Sequence, residues 1–232
     1  MKRPARASLC DLIFDLDGTL VDSCMICVDI LQAMLVERGS DHRIDPMAAR
    51  AFMSQGGARM VSALLGPACG DPVEELAEFR RRYATLPTDP ASLYPGVVEG
   101  LTLLADRGHR LAICSNKPQN LCEKVLTDTG LDGLFDAVVG GRPDLRAKPH
   151  LDLLVETLRL MGADARDCLF IGDSELDHQV AQGADMPFYF LTYGYADADY
   201  RPLPGTAHDT FAALTHALNG RARPVLRKAA RG

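Results

Sequence analysis

The sequence has no apolar run approaching the ~18 residues of a membrane-crossing helix, so no such helix is expected. It lacks a basic excess as well. Its 25 lysines and arginines against 31 aspartates and glutamates leave a net charge of −6, a poor match to nucleic acid, whose binders usually present a basic surface. Seven cysteines, an odd number scattered along the chain, form no disulfide framework, and a chain of 232 residues can bury a core without one. The lone CxxC, Cys24 to Cys27, has no second Cys or His pair nearby and reads as two small buried residues. The basic opening MKRPARASLC leads into an apolar stretch interrupted by Asp11, Asp15 and Asp17. That is a strand with polar groups at its end and not the apolar core of a signal peptide. The cytoplasm is the expected location, and a monomer or homodimer the expected state.

What is present is ordinary globular composition, 47% apolar and 24% charged, arranged in a clear rhythm. Short apolar runs at 9–16, 109–116, 135–140, 167–173 and 187–193 read as strands. Between them, 97–108, 120–130, 150–162 and 175–184 carry helical spacing, with Gly108, Gly130, Gly162 and Gly183 where helix C-caps belong. Alternating strands and helices, with strands apolar throughout, predict an α/β fold: a doubly wound, Rossmann-like parallel sheet covered on both faces. Residues 22–92 break the rhythm with consecutive helices at 23–38, 46–54, 57–65 and 73–84 and no strand. The expected organisation is an α/β core from 1–21 and 93–220, a helical domain inserted after the first strand over 22–92, and a basic tail at 221–232.

In a doubly wound sheet, ligands bind outside the carboxyl ends of the strands, and the polar residues gather at those places. The first strand ends in Asp15-Leu16-Asp17-Gly18-Thr19, the second in Ser115-Asn116-Lys117. A later one ends in Gly172-Asp173-Ser174, with Asp177 a helical turn on, and Lys148 opens another helix. Carboxylates gathered at one locus repel one another and raise each other's pKa. Mg²⁺, which takes oxygen ligands and usually only one or two carboxylates, removes that conflict. Asp15 and Asp173 would offer side-chain oxygens and Asp17 its carbonyl. A tight turn such as Asp17-Gly18-Thr19 can aim backbone N–H groups at an anion; Ser115 adds a hydroxyl and Lys148 a charge. Asp15 can then attack phosphorus to give an aspartyl-phosphate. Asp17, on the opposite side of the strand backbone, can protonate the leaving oxygen and later activate water.

These four sets, "DLDGTLVDS", "SNK", Lys148-Pro149 and "GDSELD", resemble the four motifs of the haloacid dehalogenase superfamily of Mg²⁺-dependent phosphohydrolases, in the same order along the chain. The resemblance implies Asp15 as nucleophile, Asp17 as acid/base, Ser115, Asn116 and Lys148 on phosphate with Gly18 and Thr19, and Asp173 on the metal. It implies Asp177 and Ser174 as supports behind them, and makes the helical insertion a type 1 cap. Further likeness at "YPGV", "CSNKP", "VVGG" and "LTYGY" is to the phosphoglycolate phosphatases. There the turn and helix start "SQGGARMVSALLG" (54–66) would face the active site, with Gly56, Gly57 and Arg59 at a substrate carboxylate, or would serve as a plain helix–helix turn. The expected partner is a small phosphorylated substrate, with another phosphate ester or a phosphomutase reaction as the alternative. Dehalogenation is disfavoured because it needs neither a metal nor an acid/base at position 17.

Overall fold

The computed structural model describes residues 10–219. Its framework is a six-stranded, wholly parallel sheet: β1 Asp11–Phe14, β2 Leu111–Pro118, β3 Ala137–Gly141, β4 Cys168–Gly172, β5 Phe188–Leu191 and β6 Ala207–His208. The strand order is β3-β2-β1-β4-β5-β6. The chain builds outward from β1 on one side, then crosses to the other for β4, so a crevice opens beside the carboxyl end of β1. Burial explains the uniformly apolar strands. Leu12 and Phe14 enter the core on one face and Ile13 the core on the other, and all three are fully buried. A parallel strand covered on both faces has no polar side to show.

Helices α5 Val97–Asp106, α6 Gln119–Asp128, α7 Asp152–Met161, α8 Glu175–Gly183 and α9 Phe211–Asn219 cover the sheet. Between β1 and α5 lie α1 Cys24–Glu37, α2 Pro46–Ala49, α3 Gly57–Leu65 and α4 Pro72–Thr85. Asp45 and Asp71 cap α2 and α4, each accepting from backbone N–H groups ahead of a proline at the first helical position. This helical layer is packed tightly onto the sheet. One apolar cluster runs from Leu12 and Phe14 through Leu31 and Leu35 of α1 to Leu64 and Leu65 of α3.

The expected helix at 46–54 is shorter: α2 stops at Ala49 and a 3₁₀ turn, Arg50–Phe52, replaces its second half. Gly108, Gly130 and Gly162 take the positive φ that ends a helix, whereas Gly183 is the last helical residue and Asp185 adopts φ 50° beyond it. Neither β6 nor α9 was anticipated. A strand of two residues offers no periodicity to read. The basic tail at 221–232 lies outside the described residues. Cys24 and Cys27 are buried free thiols, and burial pushes the Cys27 thiol up to about 12.

Candidate active site

The strand register assembles the site. Phe14 is level with Ile113 of β2 and Ile171 of β4, and the Asp15 N–H donates to the Ile171 carbonyl at 3.0 Å. One residue further on, Asp15 stands between the ends of two neighbouring strands, with Ser115 on one side and Asp173 on the other. Carboxylate oxygens of Asp15, Asp173 and Asp177 approach within 4.8 Å of one another.

Lys148, 4% exposed, is the counterion. Its Nζ lies 2.6 Å from Asp177 Oδ1 and 3.1 Å from Asp15 Oδ2, and donates to the Cys114 carbonyl at 3.1 Å. Burial works to lower its pKa, but Asp15 and Asp177 outweigh it and the net displacement is upward. Burial raises Asp15 to about 6 despite the opposing charge of Lys148. Asp173 is raised well above the usual carboxylate range, first by burial and then by Asp177 and Asp15. Asn116 holds Lys148 from behind: its Oδ1 accepts the Lys148 N–H at 2.7 Å and its Nδ2 donates to the Lys148 carbonyl at 3.2 Å. The Asn116 amide is therefore engaged in placing Lys148, while Ser115 and Lys148 border the cavity at the sheet's end.

Gly18 and Thr19 depart from expectation. Neither borders the cavity at the sheet's end. The Gly18 N–H is taken by the Val21 carbonyl at 2.8 Å and the Thr19 N–H by the Leu16 carbonyl at 3.3 Å, so the turn closes on itself rather than presenting these donors to an anion. They serve Asp173 instead. Thr19 Oγ1 donates to Asp173 Oδ1 at 2.7 Å, and Gly18, at φ 82°, passes so close that a Cβ there would fall 2.2 Å from Asp173 Oδ2. Ser174 and Asp177 form a reciprocal capping box at the start of α8: Ser174 Oγ donates to Asp177 Oδ2 at 2.7 Å. Asp177 thus spends one oxygen on Ser174 and the other on Lys148.

Three groups at the site carry no role in the sequence reading. Lys117 Nζ is 3.1 Å from both Asp17 oxygens and 4.1 Å from the ring centre of Tyr83 on α4. Burial acts to depress this lysine, yet Asp17 brings it net upward. Its signal was available: in a strand, residues 115 and 117 share a face. Tyr195 donates its N–H to Asp173 Oδ2 at 2.8 Å and its hydroxyl to Asp22 Oδ1 at 2.6 Å. Arg50 closes the seam by pairing with Asp22 Oδ2 at 2.7 Å and donating to the Tyr193 carbonyl at 3.1 Å. Asp173 is therefore joined through one tyrosine to the junction between helical layer and sheet.

A cavity of about 140 Å³ lies over these groups, well below the roughly 300–1,000 Å³ of sites for drug-sized ligands. Asp15, Asp17, Ser115, Lys117 and Lys148 form its floor. Gly56 and Gly57 at the start of α3 border it, as does Arg80 of α4; Arg59 does not. Arg59 is exposed and lines a separate, more open depression with Glu175, Asp197 and Asp199. The reason is helical phase. Met60, Val61, Leu64 and Leu65 turn α3's apolar stripe inward and carry Arg59 outward.

Four carboxylates (Asp15, Asp17, Asp173 and Asp177) face two ammonium groups (Lys117 and Lys148) at the sheet's end. Burial first, and then that excess, raises Asp15 and Asp173, and a hard divalent cation with oxygen ligands is the group that matches it.

Comparison with known proteins agrees with this construction. Residues 12–191 match the family described as haloacid dehalogenase-like hydrolase. A phosphoglycolate phosphatase of Rhodobacter capsulatus is 36% identical over 217 residues, covering 90% of this chain and 96% of that one. Another, from Rhodospirillum rubrum, is 34% identical over 213 residues and 88% of each chain. Among solved structures, a protein described as a predicted phosphoglycolate phosphatase from Haemophilus somnus superposes with a TM-score of 0.76 at 26% identity, over 90% of this chain and 98% of that one. The chain belongs to the haloacid dehalogenase-like hydrolase family. Within it, the chain is phosphoglycolate phosphatase-like, and members of this family that are phosphatases generally use a divalent metal.

Proposed function

We propose that this chain is a Mg²⁺-dependent phosphomonoester hydrolase acting on 2-phosphoglycolate, with residues 22–92 forming a cap over a core of 1–21 and 93–220. The observation that carries the reading is the convergence of Asp15, Asp17, Asp173 and Lys148 beneath one small cavity. The names of the curated relatives supply the substrate, and the cavity's size favours it over a sugar phosphate or nucleotide.

Asp15 attacks phosphorus through one carboxylate oxygen, forming the O–P bond of an aspartyl-phosphate as the ester P–O bond breaks. Asp17 delivers a proton to the departing glycolate oxygen. It then takes one from the water that attacks phosphorus, which frees phosphate and restores Asp15. Lys148 and Ser115 hold the phosphoryl oxygens, and Lys117 orients Asp17 through both of its oxygens. Asp15, Asp173 and the Asp17 carbonyl would hold Mg²⁺, which when bound neutralises charge on the transferring phosphoryl group. Water exclusion falls to the cap, fastened by the Asp22–Arg50 pair and by the contact of Ser54 Oγ with the Tyr195 carbonyl at 3.1 Å. Within this reading the enzyme works in the cytoplasm, as monomer or homodimer, on a diffusible substrate. Nucleic acid, ill matched to a net charge of −6, is not a partner.

The test is phosphate release from a panel of esters ranked by kcat/KM, with and without Mg²⁺. The expected result is chelator-sensitive hydrolysis with 2-phosphoglycolate at the head of the ranking. Hydrolysis led by a sugar phosphate would displace the substrate; no release from any ester would displace the hydrolase.

A further inference from the structure

The cations that border the cavity differ in one respect. Lys148 is matched by Asp15 and Asp177, and Lys117 by Asp17. Arg80 has neither an ion pair nor a hydrogen bond among the described residues, and partial burial acts on its guanidinium without an opposing carboxylate, drawing its pKa down. A guanidinium does not give up its proton in a protein, so the charge persists uncompensated at the cavity's edge. The two arginines that follow it are satisfied elsewhere: Arg81 pairs with Glu78, and Arg82 with Glu78 and Glu37.

The placement of Arg80 follows from the helix. Leu76, Phe79, Arg80 and Tyr83 recur at i, i+3, i+4 and i+7 along α4, and all four border the cavity. Phe79 and Tyr83 are buried and fix how α4 is turned. Leu76 packs at Gly57, where a Cβ would lie 2.8 Å from Leu76 Cδ1, so the start of α3 and the Arg80 face of α4 form one wall. The floor opposite holds the groups for the phosphoryl end. A substrate whose phosphoryl group rests on Ser115 and Lys148 directs its other end toward this wall.

We propose that Arg80 is the specificity-determining residue of the site, pairing with a second anionic group on the substrate, a carboxylate a few bonds from the phosphate ester. This rests on the hydrolase reading above and adds what that reading leaves open: selection for small phosphorylated acids over neutral phosphate esters, made from α4 rather than by Arg59.

The test compares 2-phosphoglycolate with 2-phosphoglycolamide, which keeps the shape and loses the charge. Wild-type protein is expected to prefer the acid. Arg80→Gln should lower the acid-to-amide ratio of kcat/KM roughly 10- to 100-fold, the range for losing a hydrogen bond to a charged group. Most of that loss should appear in KM, and Arg80→Lys should recover part of it. A ratio that stays within about twofold of wild type in Arg80→Gln overturns the proposal, as does an equal fall in Arg59→Gln. Wild-type protein that hydrolyses both esters equally well overturns the role of Arg80 and leaves the hydrolase standing. Hydrolysis of neither ester overturns both. Arg80 is exposed and outside the core, and an unchanged melting temperature separates a specificity effect from loss of fold.

Discussion

The end of the sheet and the helical layer facing it handle charge in opposite ways. At the sheet's end, carboxylates outnumber ammonium groups, the ion pairs are buried, and burial, with neighbouring carboxylates adding to it, raises Asp15 and Asp173. In the helical layer, Arg82–Glu37 reaches toward solvent and Arg38–Glu75 joins an exposed arginine to a buried glutamate, and both hold their carboxylates below the usual range. Arg80, among the described residues there, has no ion pair. Under the proposals above, a divalent metal answers the carboxylates of the first region and the substrate's second anionic group answers Arg80 in the other. The contrast also separates two uses of ion pairs. Buried pairs position reactive groups at a cost in desolvation, while exposed ones fasten helices for about 1 kcal/mol or less.

The largest break in this comparison is Asp15→Asn. Removing a nucleophile leaves only binding and the remaining electrostatics, so turnover should fall by about 10⁴-fold or more, read as phosphate release under saturating substrate. Stability should move the other way. Because burial raises Asp15 to about 6, ionising it costs the metal-free protein stability. The cost is absent below the unfolded carboxylate pKa, accrues up to pH 6 and is complete above it. Metal-free Asp15→Asn should therefore gain in melting temperature relative to wild type at pH 7.5 and show little gain at pH 4. A uniform loss at both pH values would mean that Asp15 is held as a structural ion-pair partner.

Lys148→Met is the next test. It removes the cation shared by Asp15 and Asp177 and leaves Asp177, fully buried, facing Asp15 without relief. Breaking a buried pair in this way costs about 3–5 kcal/mol, measurable by urea unfolding near neutral pH. The deficit should shrink below pH 6, where Asp15 takes up its proton. A loss under about 1 kcal/mol at neutral pH would place this pair with the exposed ones of the helical layer.

How far the sequence disclosed these two regions follows the same division. β1 was legible because an apolar run ending in two aspartates has little place but the end of a buried strand. Asp173 and Lys148 were legible because their surroundings repeat that pattern, and α3 was legible to the residue. The helical layer's contribution to the site was harder. A turn containing Gly56 and Gly57 drew attention to Arg59, yet the phase of Met60, Val61, Leu64 and Leu65 carries Arg59 to the opposite face. Arg80 stands in a run of three arginines, and local sequence does not say which of them finds a glutamate. The loop at Gly18 and Thr19 was read correctly as a tight turn but wrongly as an anion cradle. Whether a turn's N–H groups face outward or bond to its own carbonyls depends on tertiary neighbours, here Asp173.

The smallest effect belongs to Arg38→Gln, at the contact between α1 and α4. Arg38 meets Glu75 with two hydrogen bonds, 2.7 Å and 2.6 Å, and also reaches the Ala68 carbonyl at 3.1 Å. After the substitution Glu75 keeps the Gly70 N–H at 3.0 Å and its place in the first turn of α4, where the helix dipole favours a carboxylate. It is thus spared the isolation that Asp177 suffers without Lys148, and the expected loss is about 1–2 kcal/mol, above that of a fully exposed pair because Glu75 is buried. The hydrogen bonds from Arg38 hold Glu75 below the usual glutamate range. The pair's contribution is therefore present above the unfolded glutamate pKa and disappears as pH falls through the lower folded value. Wild type and Arg38→Gln should differ in urea midpoint at pH 7, less in 1 M salt, and converge in acid. A loss of 3 kcal/mol or more, insensitive to salt, would erase the distinction between the two regions.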